Sequence, residues 1–431
     1  MKKGFIAVFV TLCLSLFSFA QNGTWSGVLD VQGYKLPLVF HLDGDKPTMD
    51  SPDQGARGIP IEIATSEPGR LIINISMLGA KYEGEIGNET ITGVFTQRGV
   101  SFPLDLLPGE EKLNRPQTPQ PPFPYSQEEV TFKNGDAVLK GTLVLPEGYN
   151  RKTPVLIMVT GSGLQNRDEE IFDHKPFAVI ADAFARAGIA TLRYDDRGFG
   201  ESTGDVINST TEDFKNDALA GIQLLRERFD NVGVLGHSEG GTIAFMLAAE
   251  EKIDFMISLA GMIVSGAETL TKQNEDILAQ TGYSEEIINA YCGLLNDAFD
   301  AVREGKPLPS AESVTLPEEL KKNYIAVATQ LQSPYLTYFV SLDIRPMLKK
   351  INCPVLALNG TKDTQVDYET NLESLRKSLP KTKNNRIESV EGLNHLFQHC
   401  TTGSLEEYKQ IEETFSPEVL NLMIEWIKEI E

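Results

Sequence analysis

The stretch Val232-Gly233-Val234-Leu235-Gly236-His237-Ser238-Glu239-Gly240-Gly241 decides the fold. Its first four residues are uncharged and suit a buried strand. The small and apolar residues from Gly241 to Ala249 suit a helix packed closely against it. A strand that turns sharply into a helix through G-x-S-x-G is the pattern of a nucleophile elbow, with the serine hydroxyl exposed on a strained turn. The positions two before and two after the serine must be small because strand and helix crowd there. Ser238 is therefore the candidate nucleophile, and the Glu239 amide, next in the chain, is a candidate donor to an oxyanion.

Outward from the elbow, apolar strands alternate with amphipathic helices. Val155–Val159, Ile189–Arg193, Val232–Leu235, Phe255–Leu259, Val355–Leu358 and Asn385–Val390 read as strands. Phe177–Ala187, Thr211–Arg228, Glu239–Glu250 and Tyr368–Ser378 read as helices. Such alternation predicts a mostly parallel sheet with helices on both faces, its ligand bound at the carboxyl ends of the strands. Between about 262 and 350 no strand is legible, and helix formers dominate. This segment is expected to be a helical insertion that acts as a lid over the site.

A serine needs a base, and the base needs an orienting carboxylate. The chain holds five histidines: His41, His174, His237, His395 and His399. A base in a late loop suits the chain order serine, acid, histidine, which selects His395, with His399 as the alternative. The acid is expected in the loop after Val355–Leu358, where Asp363 stands nearest the strand end and Asp367 is the rival. The second oxyanion donor is expected in Thr160-Gly161-Ser162-Gly163, which closes the strand Val155–Val159; Ser162 is preferred and Gly163 is the alternative. Arg197 reads as a scaffold residue that braces the loops around the elbow. No residue pattern calls for a cofactor or a metal.

The remaining chain sets the context. Lys2-Lys3, the apolar run Phe5–Phe19 and Ser18-Phe19-Ala20 read as an export signal over residues 1–20, cleaved before Gln21. The product would be periplasmic or secreted, with no membrane span after cleavage. Residues 21–107 carry short strands between glycine-rich turns and read as a small all-β N-terminal domain: an antiparallel sheet, sandwich or open barrel. Residues 108–127 form a proline-rich linker, with Pro108, Pro116, Pro119, Pro121, Pro122 and Pro124. The hydrolytic domain then runs over 128–431. The net charge of -22 argues against a nucleic-acid partner. Beyond the signal only Cys292, Cys353 and Cys400 remain, so at least one thiol stays unpaired.

Thr160-Gly-Ser-Gly, Asn166-Arg-Asp, Arg193-Tyr-Asp-Asp-Arg-Gly-Phe-Gly-Glu-Ser202, Gly236-His-Ser-Glu-Gly-Gly241, Gly360-Thr-Lys-Asp363 and Asn394-His395 together resemble the α/β-hydrolase superfamily. Within it they are similar to bacterial carboxylesterases of the EstD type, which also carry an extra N-terminal domain. The resemblance covers about residues 128–431. It implies a Ser238–His395–Asp363 triad and cleavage of short-chain carboxylic esters, a small-molecule substrate class, through an acyl-enzyme. Thr160 stands where many relatives have histidine before the oxyanion glycine. Two alternatives remain: a serine peptidase of the prolyl-oligopeptidase type, and a non-catalytic binding protein on a hydrolase scaffold.

Overall fold

The computed structural model describes residues 23–430 apart from 32, 33, 45, 55, 68, 88, 111 and 112. The export signal expected over residues 1–20 lies outside the described residues. The chain forms two compact units that divide between Lys112 and Leu113.

The first unit has nine strands: β1 Thr24–Val31, β2 Tyr34–His41, β3 Thr48–Ser51, β4 Ala56–Pro60, β5 Glu62–Glu67, β6 Arg70–Ile75, β7 Ala80–Ile86, β8 Ile91–Gln97 and β9 Val100–Pro108. They make one antiparallel sheet in the order β4-β3-β2-β1-β9-β8-β7-β6-β5. Alternation explains its core. Leu71, Ile73 and Ile75 of β6 point inward while Ile72 and Asn74 are half-buried. The Tyr82 ring fills the interior because Gly84 and Gly93, paired across β7 and β8, leave it room. A methyl group at either would lie within 2.7 Å of its hydroxyl.

The second unit has an eight-stranded sheet. Its strands are β10 Ser126–Asn134, β11 Ala137–Leu145, β12 Val155–Val159, β13 Ala190–Tyr194, β14 Val232–His237, β15 Phe255–Leu259, β16 Val355–Gly360 and β17 Arg386–Val390. The order is β10-β11-β13-β12-β14-β15-β16-β17, antiparallel at β10, β11 and β13 and parallel from β13 onward. Helices cover both faces. On one face α1 Pro176–Arg186 and the C-terminal Pro417–Ile430 helix pack on Leu156 and Met158. On the other, α2 Thr211–Arg226 and α3 Glu239–Ala249 pack on β12, which presents Val155, Ile157 and Val159 to that side, and the Tyr368–Ser378 helix packs farther along on β16 and β17. Both sides of β12 are thus buried, which is why the strand is apolar at every position. Each such side chain contributes about 1.5–3 kcal/mol of burial energy.

Between β15 and β16 the chain leaves the sheet for four longer helices: α4 Gly266–Gln280, α5 Glu285–Glu304, α6 Glu318–Gln330 and α7 Pro334–Ser341. The expected helical insertion is therefore present. It has its own core of Tyr291, Leu295, Phe299, Tyr324 and Phe339. Ser265 caps α4 in a reciprocal box with Glu268, and Gly305 ends α5 at φ 65°. Two short helices complete the second unit, Arg345–Leu348 and Leu405–Tyr408.

Part of the stretch read as a linker docks on the second unit. The Arg115 guanidinium donates to the Phe172, Lys409 and Ile411 carbonyls at 2.8–3.0 Å, and Gln117 accepts from the Thr414 and Phe415 amides. Proline forbids helix and central strand here, but it leaves the neighbouring side chains free to satisfy loop carbonyls. The cysteines Cys292, Cys353 and Cys400 are free thiols. No helix among the described residues is long and apolar enough to cross a membrane.

Candidate active site

β14 delivers Ser238 to the carboxyl edge of the sheet. Ser238 has φ 54° and ψ -120°, a conformation that L-residues rarely adopt and that costs about 1–3 kcal/mol. The flanking glycines follow from crowding. A methyl group at Gly236 would lie 2.0 Å from the Gly240 carbonyl oxygen, and one at Gly240 would lie 2.0 Å from the Val159 oxygen. The Ser238 amide donates to the Leu259 carbonyl at 2.8 Å, which ties the turn to β15.

The loops after β16 and β17 bring Asp363 and His395 together. His395 Nδ1 donates to Asp363 Oδ2 at 2.8 Å, with both side chains almost wholly buried. The other oxygen, Oδ1, accepts the Gln365 and Val366 amides at 2.8 and 2.9 Å. Asp363 is thus held on three donors. The rival Asp367 caps the Tyr368–Ser378 helix by accepting the Thr370 amide. His399 pairs at the surface with Glu413, and His174 is buried between Thr414 and the Tyr408 carbonyl. His41 lies in the first unit, bonded to Thr24 and Asp50.

Ser238 and His395 line one cavity of about 250 Å³. Gly161 and Ser162 line it as well, and a methyl group at Gly161 would touch Ser238 Cβ at 3.1 Å. The Gly161 amide is committed to Glu169 Oε1 at 2.8 Å. Of the two candidate oxyanion donors in this turn, Ser162 faces the cavity. Gly163, at φ 92°, lines a separate small cleft behind the turn together with Asp196 and Glu239. The insertion closes the other side of the main cavity through Met262, Thr269, Leu270, Gln273 and Phe339.

Several residues that matter here carry no signal in the sequence. His237 points away from Ser238, as adjacent elbow residues do, yet it bridges two loops. Its Nδ1 lies 2.9 Å from Glu169 Oε1 and its Nε2 lies 2.9 Å from the His395 carbonyl oxygen. Both partners are acceptors, so both ring nitrogens carry protons. Burial alone would push this imidazole down, but the Glu169 carboxylate and the His395 carbonyl, with Asp363 nearby, hold it above the ordinary histidine value. A raised native pKa means that the pairing stabilises fully below about pH 6.5 and is lost as pH climbs through the native value. His237→Gln should therefore cost about 3 kcal/mol near pH 5.5 and progressively less toward pH 9, read from thermal unfolding at each pH. A pH-independent difference would contradict the charged pair.

Glu239 gathers three hydroxyls. Ser162 Oγ and Tyr335 Oη donate to Oε2 at 2.8 and 2.6 Å, and Thr211 Oγ1 donates to Oε1 at 2.6 Å. The carboxylate thereby joins the Thr160–Gly163 turn, the first turn of α2 and helix α7 of the insertion. Arg197 is scaffold, as expected: its guanidinium grips Asp217 at 2.6–2.7 Å and Ser209 at 3.0 Å. Asp195 takes Arg167, which also reaches Glu129 and Glu201. Among the described residues no cluster suited to a metal ion occurs.

A family model described as serine aminopeptidase, S33, matches residues 174–399, just over half of the chain. Esterase EstD of Thermotoga maritima is 29% identical over 280 residues, which is 64% of this chain and 61% of that protein. The chain thus spans less than two thirds of that relative's length. Among solved structures, Est1E from Butyrivibrio proteoclasticus is similar at 19% identity and TM-score 0.39, over 70% of this chain and 99% of that one. Proline iminopeptidase of Mycobacterium smegmatis is similar at 15% identity and TM-score 0.43, over 70% and 98%.

Proposed function

The chain belongs to the serine aminopeptidase S33 family, within the α/β-hydrolase superfamily, and on that premise we propose that it hydrolyses carboxylic esters of short acyl chains. The observation that carries this reading is the bond from His395 to Asp363 at the cavity that Ser238 lines. Ser238 Oγ attacks the acyl carbonyl and His395 Nε2 takes its proton. The ester C–O bond breaks, and His395 returns the proton to the leaving alkoxide. Water, deprotonated by the same nitrogen, then attacks the acyl carbon; the bond from Ser238 Oγ to the acyl group breaks, the acid leaves, and His395 returns the proton to Oγ. The Ser162 and Glu239 amides receive the oxyanion. A cavity of about 250 Å³ lies below the usual range for drug-sized ligands, which favours a small substrate.

The family's description raises aminopeptidase activity as the second reading. A free α-ammonium group would need an available carboxylate. Among the described residues that line the cavity the only carboxylate is Glu169, already engaged by Gly161 and His237. This supports ester over aminoacyl substrates. A fluorophosphonate probe should label Ser238, and 4-nitrophenyl butyrate should be turned over where alanine 4-nitroanilide is not. Faster turnover of the anilide would overturn the ester reading. We propose export as well, on the basis of the N-terminal sequence; a mature N-terminus at Gln21 tests it.

A further inference from the structure

Glu239 is 2% exposed and directly follows the nucleophile, yet the proposed hydrolysis draws only on its backbone amide. Its side chain is a buried carboxyl that rests on hydroxyl donors. Burial pushes this carboxyl up, against the pull of the Thr211, Tyr335 and Ser162 hydroxyls. Two of those donors fix the carboxylate itself: Thr211 Oγ1 holds Oε1 and Tyr335 Oη holds Oε2, both at 2.6 Å. The third, Ser162 Oγ at 2.8 Å, belongs to the turn that faces the nucleophile.

That turn is pinned on either side of Ser162. Thr160 Oγ1 and the Gln165 amide donate to Asp196, and the Gly161 amide donates to Glu169 Oε1. Between these anchors stands the Gly161–Ser162 peptide, whose N–H is the proposed oxyanion donor. Among the described residues neither this N–H nor that of Glu239 has a hydrogen-bond partner, so both are available to an oxyanion. Gly161 must lack a side chain, because a methyl group there would touch Ser238 Cβ at 3.1 Å. The same lack leaves its ψ loosely restrained, so the peptide that follows is free to turn its N–H away. Ser162 is exposed, and packing does not hold it in place. The bond from its hydroxyl to the immobile Glu239 carboxylate does.

We infer that the Glu239 side chain is a positioning residue for the oxyanion hole: it braces Ser162 so that the Gly161–Ser162 N–H stays aimed at the oxyanion. Its own backbone amide supplies the other donor, so one residue sets both. The inference rests on the ester-hydrolase reading and adds a residue that acts through Ser162.

Ser162→Ala removes the tether and keeps the donor amide. In the full chain it should lower kcat on 4-nitrophenyl butyrate by about 10–100-fold, less than the roughly 10²–10³ that outright loss of a donor costs. KM should change by less than about threefold. Rates are taken per Ser238 labelled exhaustively by the fluorophosphonate, which counts folded, competent sites. Affinity for propyl trifluoromethyl ketone, whose adduct with Ser238 carries an oxyanion, should fall in step with kcat/KM. Glu239→Ala should show a similar loss. Glu239→Gln should recover most of it, since its amide oxygen takes the Ser162 and Tyr335 hydroxyls while its NH₂ faces Thr211. Adding Ser162→Ala to Glu239→Ala should cost no more than about twofold further.

An unchanged kcat per labelled site in Ser162→Ala overturns the inference. So does a loss confined to KM or to the thermal midpoint, or a double variant whose losses simply multiply. Should Glu239→Ala not fold, the match between kcat/KM and ketone affinity in Ser162→Ala decides alone. Where the unaltered chain turns over the ester and is labelled at Ser238, such results remove the brace and leave the ester reading standing. If the unaltered chain does neither, the ester reading falls and the brace with it.

Discussion

Replacing Ser238 by alanine is expected to lower kcat on 4-nitrophenyl butyrate by about 10⁴–10⁶-fold while leaving the fold intact. The attacking oxygen disappears, and no neighbouring group can take its place. His237, next in the chain, is locked on Glu169 and the His395 carbonyl. The fold loses little because the elbow is held by its backbone: the Ser238 amide bonds to Leu259, and the Gly241 amide bonds to the Ser238 carbonyl. Alanine occupies the same φ 54° conformation at a similar cost. The thermal midpoint should therefore stay within the range of a neutral substitution, about 0.5 kcal/mol in stability. Circular dichroism melting and steady-state kinetics on one preparation check both halves. More than a hundredth of the original kcat in the alanine variant would refute Ser238 as nucleophile.

What the sequence disclosed about this site follows from how local each constraint is. Gly236 and Gly240 are legible because backbone crowding at 2.0 Å admits no side chain, whatever the rest of the chain does. The parallel strands are legible because both of their faces are buried, which leaves unbroken apolar runs. In the string only nearness to the strand end favours Asp363 over Asp367, since each stands in a turn before a helix. Only the loop's path separates them, sending one carboxylate to His395 and the other to the Thr370 amide. Glu169 was hidden because its partner His237 lies 68 residues away and nothing local marks Glu169. Tyr335 and Thr269 reach the site from an insertion whose docking depends on tertiary packing. In the first unit the strand patterns were legible but the pairing order was not. β1 meets β9 through Trp25 and Pro108, a contact between the two ends of the unit.

Asparagine at position 363 is expected to cost about 10⁴-fold in kcat with little change in KM. Asp363 Oδ1 accepts two backbone amides, from Gln365 and Val366, and Oδ2 accepts the His395 Nδ1 proton. In the variant, the amide oxygen is claimed by the two backbone donors, because turning it away would leave both without a partner in a buried loop. The NH₂ group must then face His395 Nδ1. A donor opposite Nδ1 demands a lone pair there and drives the imidazole proton to Nε2. In the proposed mechanism that nitrogen accepts the Ser238 proton, so the base would be present but in the wrong tautomer. Because the fault is one of protonation and not of fit, substrate binding should survive. Raising the pH, which promotes the serine alkoxide directly, should recover part of the lost rate. Equal losses in kcat and in binding would point instead to a collapsed loop. A variant that kept most of its kcat would show that Asp363 does not set the orientation of His395.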